Sequence, residues 1–527
     1  MSNNTEGIAV AFSNPGSPIR RQMLDGSFRI FLAEALILPT GLITAAFLTR
    51  YLGPSDYGIF TLACVVVLWI EFFVTCAFSR AAIKLIGDAE DWQPWGSTLV
   101  RFYFLAGTFA ALLLWLGSDQ LARVLGEPTL AGYLRLFALD IPIYSLATAH
   151  RDILIGLRHY RARALAGAAR WMTRLVLIVV LIWAGLSVRG AVWAMIGASL
   201  FDMITSRYYV RPPLWRRFPV RLGHLWDYAV PLLVSGVALR VFDKLDLFML
   251  KVLGASAAMV GYYGAAQNLT IVPGLIGTAL APVLLSALTH TRRGGDAALA
   301  RELARDAIRF TICLLPFAAL IAASSPEIAT LLMGQTFAPA GPFLAILIFA
   351  GFGRLVLSVC LSILIAAERP RWVLLLTAPV VPLATASYVA AIRTGGPRSA
   401  ALTTSVLCAL LTVVALAAVY FAWGVKPSSA CIARTALLSL AVYAAALAWP
   451  ATGIMLLIKL GVIGGLLPIA YFLCGEFERD EISRLTALFW PAASTTGERA
   501  NSPVAPSSPS VLCEISSRTH PISPLSS

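Results

Sequence analysis

Residues 341–366 read GPFLAILIFAGFGRLVLSVCLSILIA, an apolar run broken by one charge, Arg354. A helix needs ~20 apolar residues to cross the hydrocarbon of a bilayer, so this stretch is long enough to span one. The same pattern recurs in both directions along the chain. Apolar runs bounded by charges, Gly and Pro predict fourteen spanning segments: 28–49, 57–79, 97–118, 130–150, 171–187, 190–209, 226–250, 258–289, 308–325, 341–366, 372–392, 399–421, 431–449 and 452–474. The segment 258–289 is too long for one straight span and contains Pro273 and Pro282, which predicts a kink. Of the 527 residues 58% are hydrophobic and 13% charged, against about 25% charged in soluble domains, which excludes an ordinary soluble enzyme. Eight scattered cysteines do not make a disulfide scaffold. Cys64, Cys76, Cys313, Cys360 and Cys408 lie inside apolar runs, as small buried hydrophobes do.

Charge placement orients the segments. With the N-terminus cytoplasmic, even-numbered loops hold about 21 Lys and Arg, clustered at 151–170, 207–221 and 292–309. Odd-numbered loops hold 6: Arg50, Arg123, Arg189, Lys251, Arg393 and Arg398. Positive residues favour the cytoplasmic side, so both termini are expected inside. The net charge of +14 is then accounted for without a nucleic-acid partner. Residues 1–27 show no cleavable signal pattern, and the Ser/Pro-rich end reads as a largely disordered cytoplasmic tail. In the segment 295–309, Arg301, Arg305 and Arg309 recur every fourth position. This predicts an amphipathic helix that suits anionic headgroups or simply connects two bundles.

An internal repeat sets the organisation. Arg50-Tyr51-Leu52-Gly53 recurs as Lys251-Val252-Leu253-Gly254, and Asp56-Tyr57-Gly58 is echoed by Val260-Gly261-Tyr262. Leu154-Ile155-Gly156-Leu157-Arg158 and Leu364-Ile365-Ala366-Ala367-Glu368 both end a segment before basic residues. A shared offset of roughly 201–210 residues predicts two parallel six-helix bundles, the arrangement of transporters that rock two halves about a midplane site. The expected divisions are a cytoplasmic segment 1–27, bundles 28–225 and 226–425, an additional helix pair 426–475, and the tail 476–527. Gly53-Pro54 predicts a tight turn, with Asp56 placed to cap the next helix.

Residues 50–60, Arg-Tyr-Leu-Gly-Pro-Ser-Asp-Tyr-Gly-Ile-Phe, resemble the first-loop signature of polysaccharide-type flippases. These belong to the multidrug/oligosaccharidyl-lipid/polysaccharide (MOP) exporter superfamily. Further matches are Gly156-Leu157-Arg158, Tyr228-Ala229-Val230-Pro231-Leu232, Lys244-Leu245-Asp246, Gly261-Tyr262-Tyr263 and Glu368-Arg369-Pro370-Arg371, within about 25–475. The resemblance implies an O-antigen flippase-like protein of the bacterial inner membrane. Members of the family export or flip lipid-linked sugars, namely O-antigen units, exopolysaccharide repeats or the peptidoglycan precursor lipid II. The resemblance implies that this chain moves a polyprenyl-pyrophosphate-linked oligosaccharide for lipopolysaccharide or exopolysaccharide synthesis. Its implied partners are that lipid-linked substrate, membrane lipids, a polysaccharide polymerase and assembly proteins, and H+ or Na+ as coupling ion.

Charges at membrane depth cost ~2.5–3.5 kcal/mol each on insertion scales, so each calls for a reason. The deep ones are Glu71, Asp140, Arg240, Asp243, Lys244 and Arg354; Glu34, Arg101, Arg135, Asp202 and Asp246 lie nearer an interface. Arg240, Asp243, Lys244, Leu247 and Lys251 fall on one helical stripe. The candidate substrate-binding cations are Arg240, Lys244, Arg354 and Arg101, since guanidinium groups match phosphate oxygens bidentately. The competing reading has Arg240 and Lys244 neutralised by Asp243 for stability alone. Glu71, Asp140 and Asp243 are candidates for coupling-ion binding or counter-charge.

An enzyme is disfavoured. Odd-numbered loops are short, the longest being 326–340, and the histidines His150, His159, His224, His290 and His520 lie at cytoplasmic ends or in the tail. The sequence contains no HExxH, GxSxG, Walker A or CxxC, and the lone pair Asp243/Asp246 is too weak a metal motif. No cofactor or metal is expected. The alternatives are a multidrug/cation antiporter of the same superfamily and, remotely, a membrane glycan polymerase or glycosyltransferase. Reporter fusions near Pro54, Arg123 and Gly395 are expected to read extracytoplasmic, and those near Arg163, Arg216 and Arg293 cytoplasmic. A reversed pattern overturns the topology.

Overall fold

The structure, a computed structural model, describes residues 36–89, 91–213 and 226–476. The expectations for 1–27, Glu34, the loop with Arg216, Arg217 and Arg221, and the tail after 476 fall outside them. The chain divides into two compact units, 1–470 and 471–527, and the architecture below is that of the first. Its described residues form helices and no strands.

In chain order the helices are α1 (Ile37–Asp88), α2 (Gln93–Val124), α3 (Pro128–Phe137), α4 (Asp140–Gly156), α5 (Tyr160–Trp183) and α6 (Ser187–Tyr209). Then come α7 (Trp226–Val252), α8 (Ala257–Leu269), α9 (Ile271–Arg293), α10 (Ala297–Cys313), α11 (Leu315–Ala323) and α12 (Ser325–Met333). After a 3-10 turn at Gln335–Ala340 follow α13 (Gly341–Ala366), α14 (Pro370–Thr377), α15 (Val380–Trp423), α16 (Ser429–Ala448) and α17 (Ile454–Leu473), whose last three residues belong to the second unit. Among the described residues, eleven segments are long and apolar enough to cross a membrane. The chain is a multi-pass, all-α membrane protein.

Prolines set where these helices break. A proline has no N–H for the carbonyl four residues back. Pro142 follows the α3/α4 break at Ala138–Leu139, Pro273 the α8/α9 break at Thr270, and Pro382 the α14/α15 break at Ala378–Pro379. The kink predicted for 258–289 therefore falls before Pro273, while Pro282 lies inside α9. Two long helices are interrupted instead by a glycine with positive φ followed by a proline. These are α1 at Gly53 (φ 71°) before Pro54, and α15 at Gly396 (φ 67°) before Pro397. Only glycine enters that backbone region cheaply, and proline is well placed to start the next helix. The amphipathic stretch merges with the following span: α10 and α11 form one continuous 27-residue segment, with Ala300, Ala304 and Ile308 buried and Arg301 and Arg305 exposed.

Helices α1 to α6 pack largely on one another, as do α7 to α15, with α1 meeting α7, α8 and α12 across the two sets. The middle of the second set is α13, which packs on α9, α11 and α15. Apolar side chains exposed on α2, α5, α16 and α17, such as Leu105, Phe109, Trp183, Leu437 and Leu457, face the lipid.

The repeat echoes coincide with shared backbone geometry. Arg158 (φ 60°) and Glu368 (φ 57°) both adopt a left-handed conformation at a helix end. Each is followed by an N–H that donates back to the helix, His159 to Leu154 O and Arg369 to Leu364 O. Gly53 and Gly254 both have positive φ. The third pair, Gly58 and Gly261, meet each other. A Cβ on Gly58 would lie 1.9 Å from the Ala257 carbonyl oxygen, and one on Gly261 2.1 Å from that of Pro54. Small residues let helix backbones touch where lipid supplies no hydrophobic drive. Overpacking costs about 1–3 kcal/mol and more where the clash is with backbone. Gly58→Val and Gly261→Val are therefore expected to strip the protein from membranes. Gly41→Ala, with nothing within 4 Å of the added carbon, leaves abundance unchanged. Immunoblotting of membranes checks this, and normal abundance of Gly58→Val refutes the close crossing.

Candidate functional site

Helix α7 carries the predicted stripe, and its members have different surroundings. Asp243 turns to α13, its Oδ1 lying 3.6 Å from Arg354 Nη1, with 39% and 24% of the two side chains exposed. Lys244 Nζ donates to Gln267 Oε1 of α8 at 3.0 Å. Arg240 places its guanidinium 5.6 Å from the centre of the Phe72 ring of α1, and its carbonyl accepts from Trp69 Nε1 at 3.2 Å. Its Nε is buried without an acceptor. The partner of Asp243 within ion-pair distance is thus Arg354. The structure brings Arg240, Lys244 and Arg354 into one neighbourhood around Asp243. Leu247 and Lys251, further along the stripe, are buried, so the stripe is not open along its length. Arg101 sits on α2, which packs mainly on α4, and belongs to the first set of helices.

One turn below, Asp246 is the most completely satisfied carboxylate of the region. Its Oδ1 accepts from Leu247 N–H at 2.8 Å and Gln267 Nε2 at 2.7 Å. Its Oδ2 accepts from Tyr263 OH at 2.8 Å and Thr404 Oγ1 at 3.0 Å, and Thr404 also meets Tyr388 OH at 3.0 Å. It is 1% exposed, where the sequence places it near an interface. The amide of Gln267 connects the two levels, accepting from Lys244 and donating to Asp246. Tyr263 and Gln267, four residues apart on an apolar helix, were the signal for this network.

The first set of helices holds a second charged cluster. Glu71, Asp140 and Asp202 are all buried. Arg151 Nη1 and Arg170 Nε lie 3.6 and 3.9 Å from Asp202 Oδ2, and the two guanidiniums sit 5.3 and 4.7 Å from the centre of the Tyr144 ring. Arg174 lies over Trp171 and acts on Asp140. Glu71 lies in the field of Asp140, Arg170, Arg151 and Arg240. The sequence reading assigns Arg151 and Arg170 to a cytoplasmic loop and does not single out Arg174. The i, i+4 spacing of Arg170 and Arg174 at the start of an apolar run is what marks them. Arg135, by contrast, pairs with Asp119 where both are well exposed, a contact of little energetic weight.

Each donor left unpaired in a buried site costs about 1–3 kcal/mol. Asp246→Ala leaves Tyr263, Gln267 and Thr404 without their acceptor and is expected to lower membrane abundance severalfold. Asp246→Asn, which keeps one acceptor oxygen, is expected to fall between, and Asp243→Ala to retain abundance. Equal abundance of all three overturns a structural role for the network.

Residues 47–342 match the sequence profile of a family described as polysaccharide biosynthesis protein. No curated protein matches the chain. Among solved structures, the lipid II flippase MurJ in an inward closed conformation superposes with a TM-score of 0.70 at 14% identity, over 89% of this chain and 99% of that one. The Vibrio cholerae MATE transporter VcmN, in mutant form, gives 0.57 at 16% identity over 76% and 96%. The eukaryotic MATE transporter AtDTX14 gives 0.58 at 12% over 80% and 100%. The fold is therefore the one that these flippase and transporter structures share. Because the matched profile spans more than half of the 527 residues, the chain belongs to the polysaccharide biosynthesis protein family.

Proposed function

We propose that this protein moves a polyprenyl-pyrophosphate-linked oligosaccharide across the bacterial inner membrane for surface polysaccharide synthesis. In this reading two six-helix halves, 28–225 and 226–425, alternate access to a site between them, and 426–475 adds a helix pair. Taking the two glycine-split segments as two spans each and adding Trp226–Val252 makes fourteen spans, with both termini cytoplasmic.

The observation that carries the proposal is the excess of cations around Asp243. Arg240, Lys244 and Arg354 converge there, and the Arg354–Asp243 pair is partly exposed although Arg354 lies within a spanning segment and Asp243 on α7, taken here as a further span. A partly exposed ion pair at that depth belongs to a water-filled space, not to lipid. Two carboxylates, Asp243 and Asp246, among three cations leave one positive charge in excess for an anionic headgroup, and arginine meets phosphate oxygens in a fixed two-pronged geometry. The headgroup crosses through this wet, cationic space while the polyprenyl tail stays in lipid. The family description and the fold shared with a lipid II flippase support the reading. Glu71 and Asp140 serve as counter-charges to Arg170 and Arg174, or as the site of a coupling ion, H+ or Na+.

Deletion of the gene, followed by extraction of polyprenyl-linked sugars, tests the proposal. A lipid-linked intermediate accumulating on the cytoplasmic leaflet is expected; normal glycans with altered drug tolerance assign the protein to the antiporter class instead. Charged hydrogen bonds contribute roughly 1.5–3 kcal/mol each, so Arg354→Ala is expected to weaken substrate movement about ten- to a hundredfold at normal abundance. Arg354→Lys is expected to retain part of the activity, since charge remains while the fork is lost, and Arg354→Glu to be worst. Alanine variants of Arg240, Lys244 and Arg354 that all move substrate normally remove these residues from the site.

A further inference from the structure

Contacts between the two sets of helices concentrate near the Gly53 and Gly254 turns. Arg50 Nη2 donates to Leu331 O at 2.7 Å, and Asn268 Nδ2 to Tyr57 OH at 2.8 Å. Phe337 stands edge-on to both Tyr57 and Tyr262, at 5.6 Å from each ring. At the same end Lys251 Nζ meets Glu127 Oε1 at 2.6 Å, with 6% and 21% of the side chains exposed, and also donates to Ala255 O at 3.1 Å. Of these contacts, the Lys251–Glu127 pair is the ionic one, and it joins the two sets of helices directly.

Each charge is also held by its own helix. Lys251 lies in the last turn of α7, where carbonyl groups face outward. Glu127 is the N-terminal cap of α3, its carbonyl accepting from Leu130 N–H at 3.0 Å while its side chain makes no cap hydrogen bond. A cation at a helix C-terminus and an anion at an N-terminus are both favoured by the helix dipole. Separating the two halves at this end would leave a largely buried ammonium without its carboxylate, and breaking a buried pair from one side is costly.

We infer that Lys251 and Glu127 form a latch that holds shut the face of the protein at which the Gly53-Pro54 turn lies, so that this face opens only when the pair separates. The inference rests on the alternating-access reading above. Opening hydrates both charges together, which offsets part of the lost contact and makes the pair a two-position element rather than a permanent brace.

The test uses the full-length protein in lipid nanodiscs, in a cysteine-replaced background of wild-type abundance. Spin labels at the exposed positions Thr129 and Arg398 report the separation of the halves. The parent is expected to give mainly the short distance. Lys251→Glu and Glu127→Lys are each expected to raise the ratio of long to short distances about tenfold or more, because they replace a buried attraction by repulsion. The double exchange K251E/E127K is expected to recover the short distance only in part, since each charge then opposes its helix dipole. If the reversals lower abundance, K251M and E127Q, which remove charge without adding repulsion, carry the same expectation with a smaller shift. Unchanged distances in the single variants at normal abundance overturn the latch. The measurement needs no substrate, so a latch that responds in a protein that moves no lipid-linked sugar refutes the flippase reading and leaves the latch standing.

Discussion

The contact on which the remaining geometry depends is the crossing of α1 and α8 at Gly58 and Gly261. In a bilayer, burying apolar surface between two helices gains little over leaving it in lipid, so close packing has to supply the attraction. With no Cβ on either residue, each backbone reaches the carbonyl of the other, Gly58 at Ala257 and Gly261 at Pro54. That fixes α1 against the second set of helices. Tyr57 then reaches Asn268, and Trp69, three turns along α1, reaches the carbonyl of Arg240. The stripe on α7 thereby faces Phe72 and the neighbourhood of Glu71 rather than lipid.

The cost of charge in a membrane explains where the ionisable residues settle. In the first set of helices the buried carboxylates Glu71, Asp140, Asp152 and Asp202 lie among Arg151, Arg170 and Arg174, so carboxylates are not outnumbered. Near α7 the balance differs. Asp246 is saturated by four uncharged donors and is only 1% exposed. Asp243 is shared with Arg354, which leaves Lys244 on an amide and Arg240 over an aromatic ring. Cations therefore outnumber carboxylates by three to two on the α7–α13 side, and in the proposed function that asymmetry is what receives an anionic headgroup.

The sequence by itself determined the class of fold and its punctuation, because those follow from local rules. Apolar length marks the spans, Gly53-Pro54 marks a turn since only glycine takes its φ without strain, and each interrupting proline removes one hydrogen bond at a fixed distance. The echoes at Gly53/Gly254 and Arg158/Glu368 were visible as sequence and share a positive φ. What the sequence did not reveal was which charge meets which. Spacing on α7 put Asp243 one turn from Arg240 and beside Lys244, yet its partner comes from α13, more than a hundred residues away. Lys251 lay on the same stripe but pairs with Glu127 of the first set, and Arg170, counted with a loop, reaches the buried Asp202. Helical periodicity fixes the face a residue occupies on its own helix, whereas the groups that face it from other helices are set by how the helices cross. Only the tertiary structure decides that, because a charge in a low-dielectric interior is governed by the nearest opposite charge or donor in space, whatever its distance along the chain.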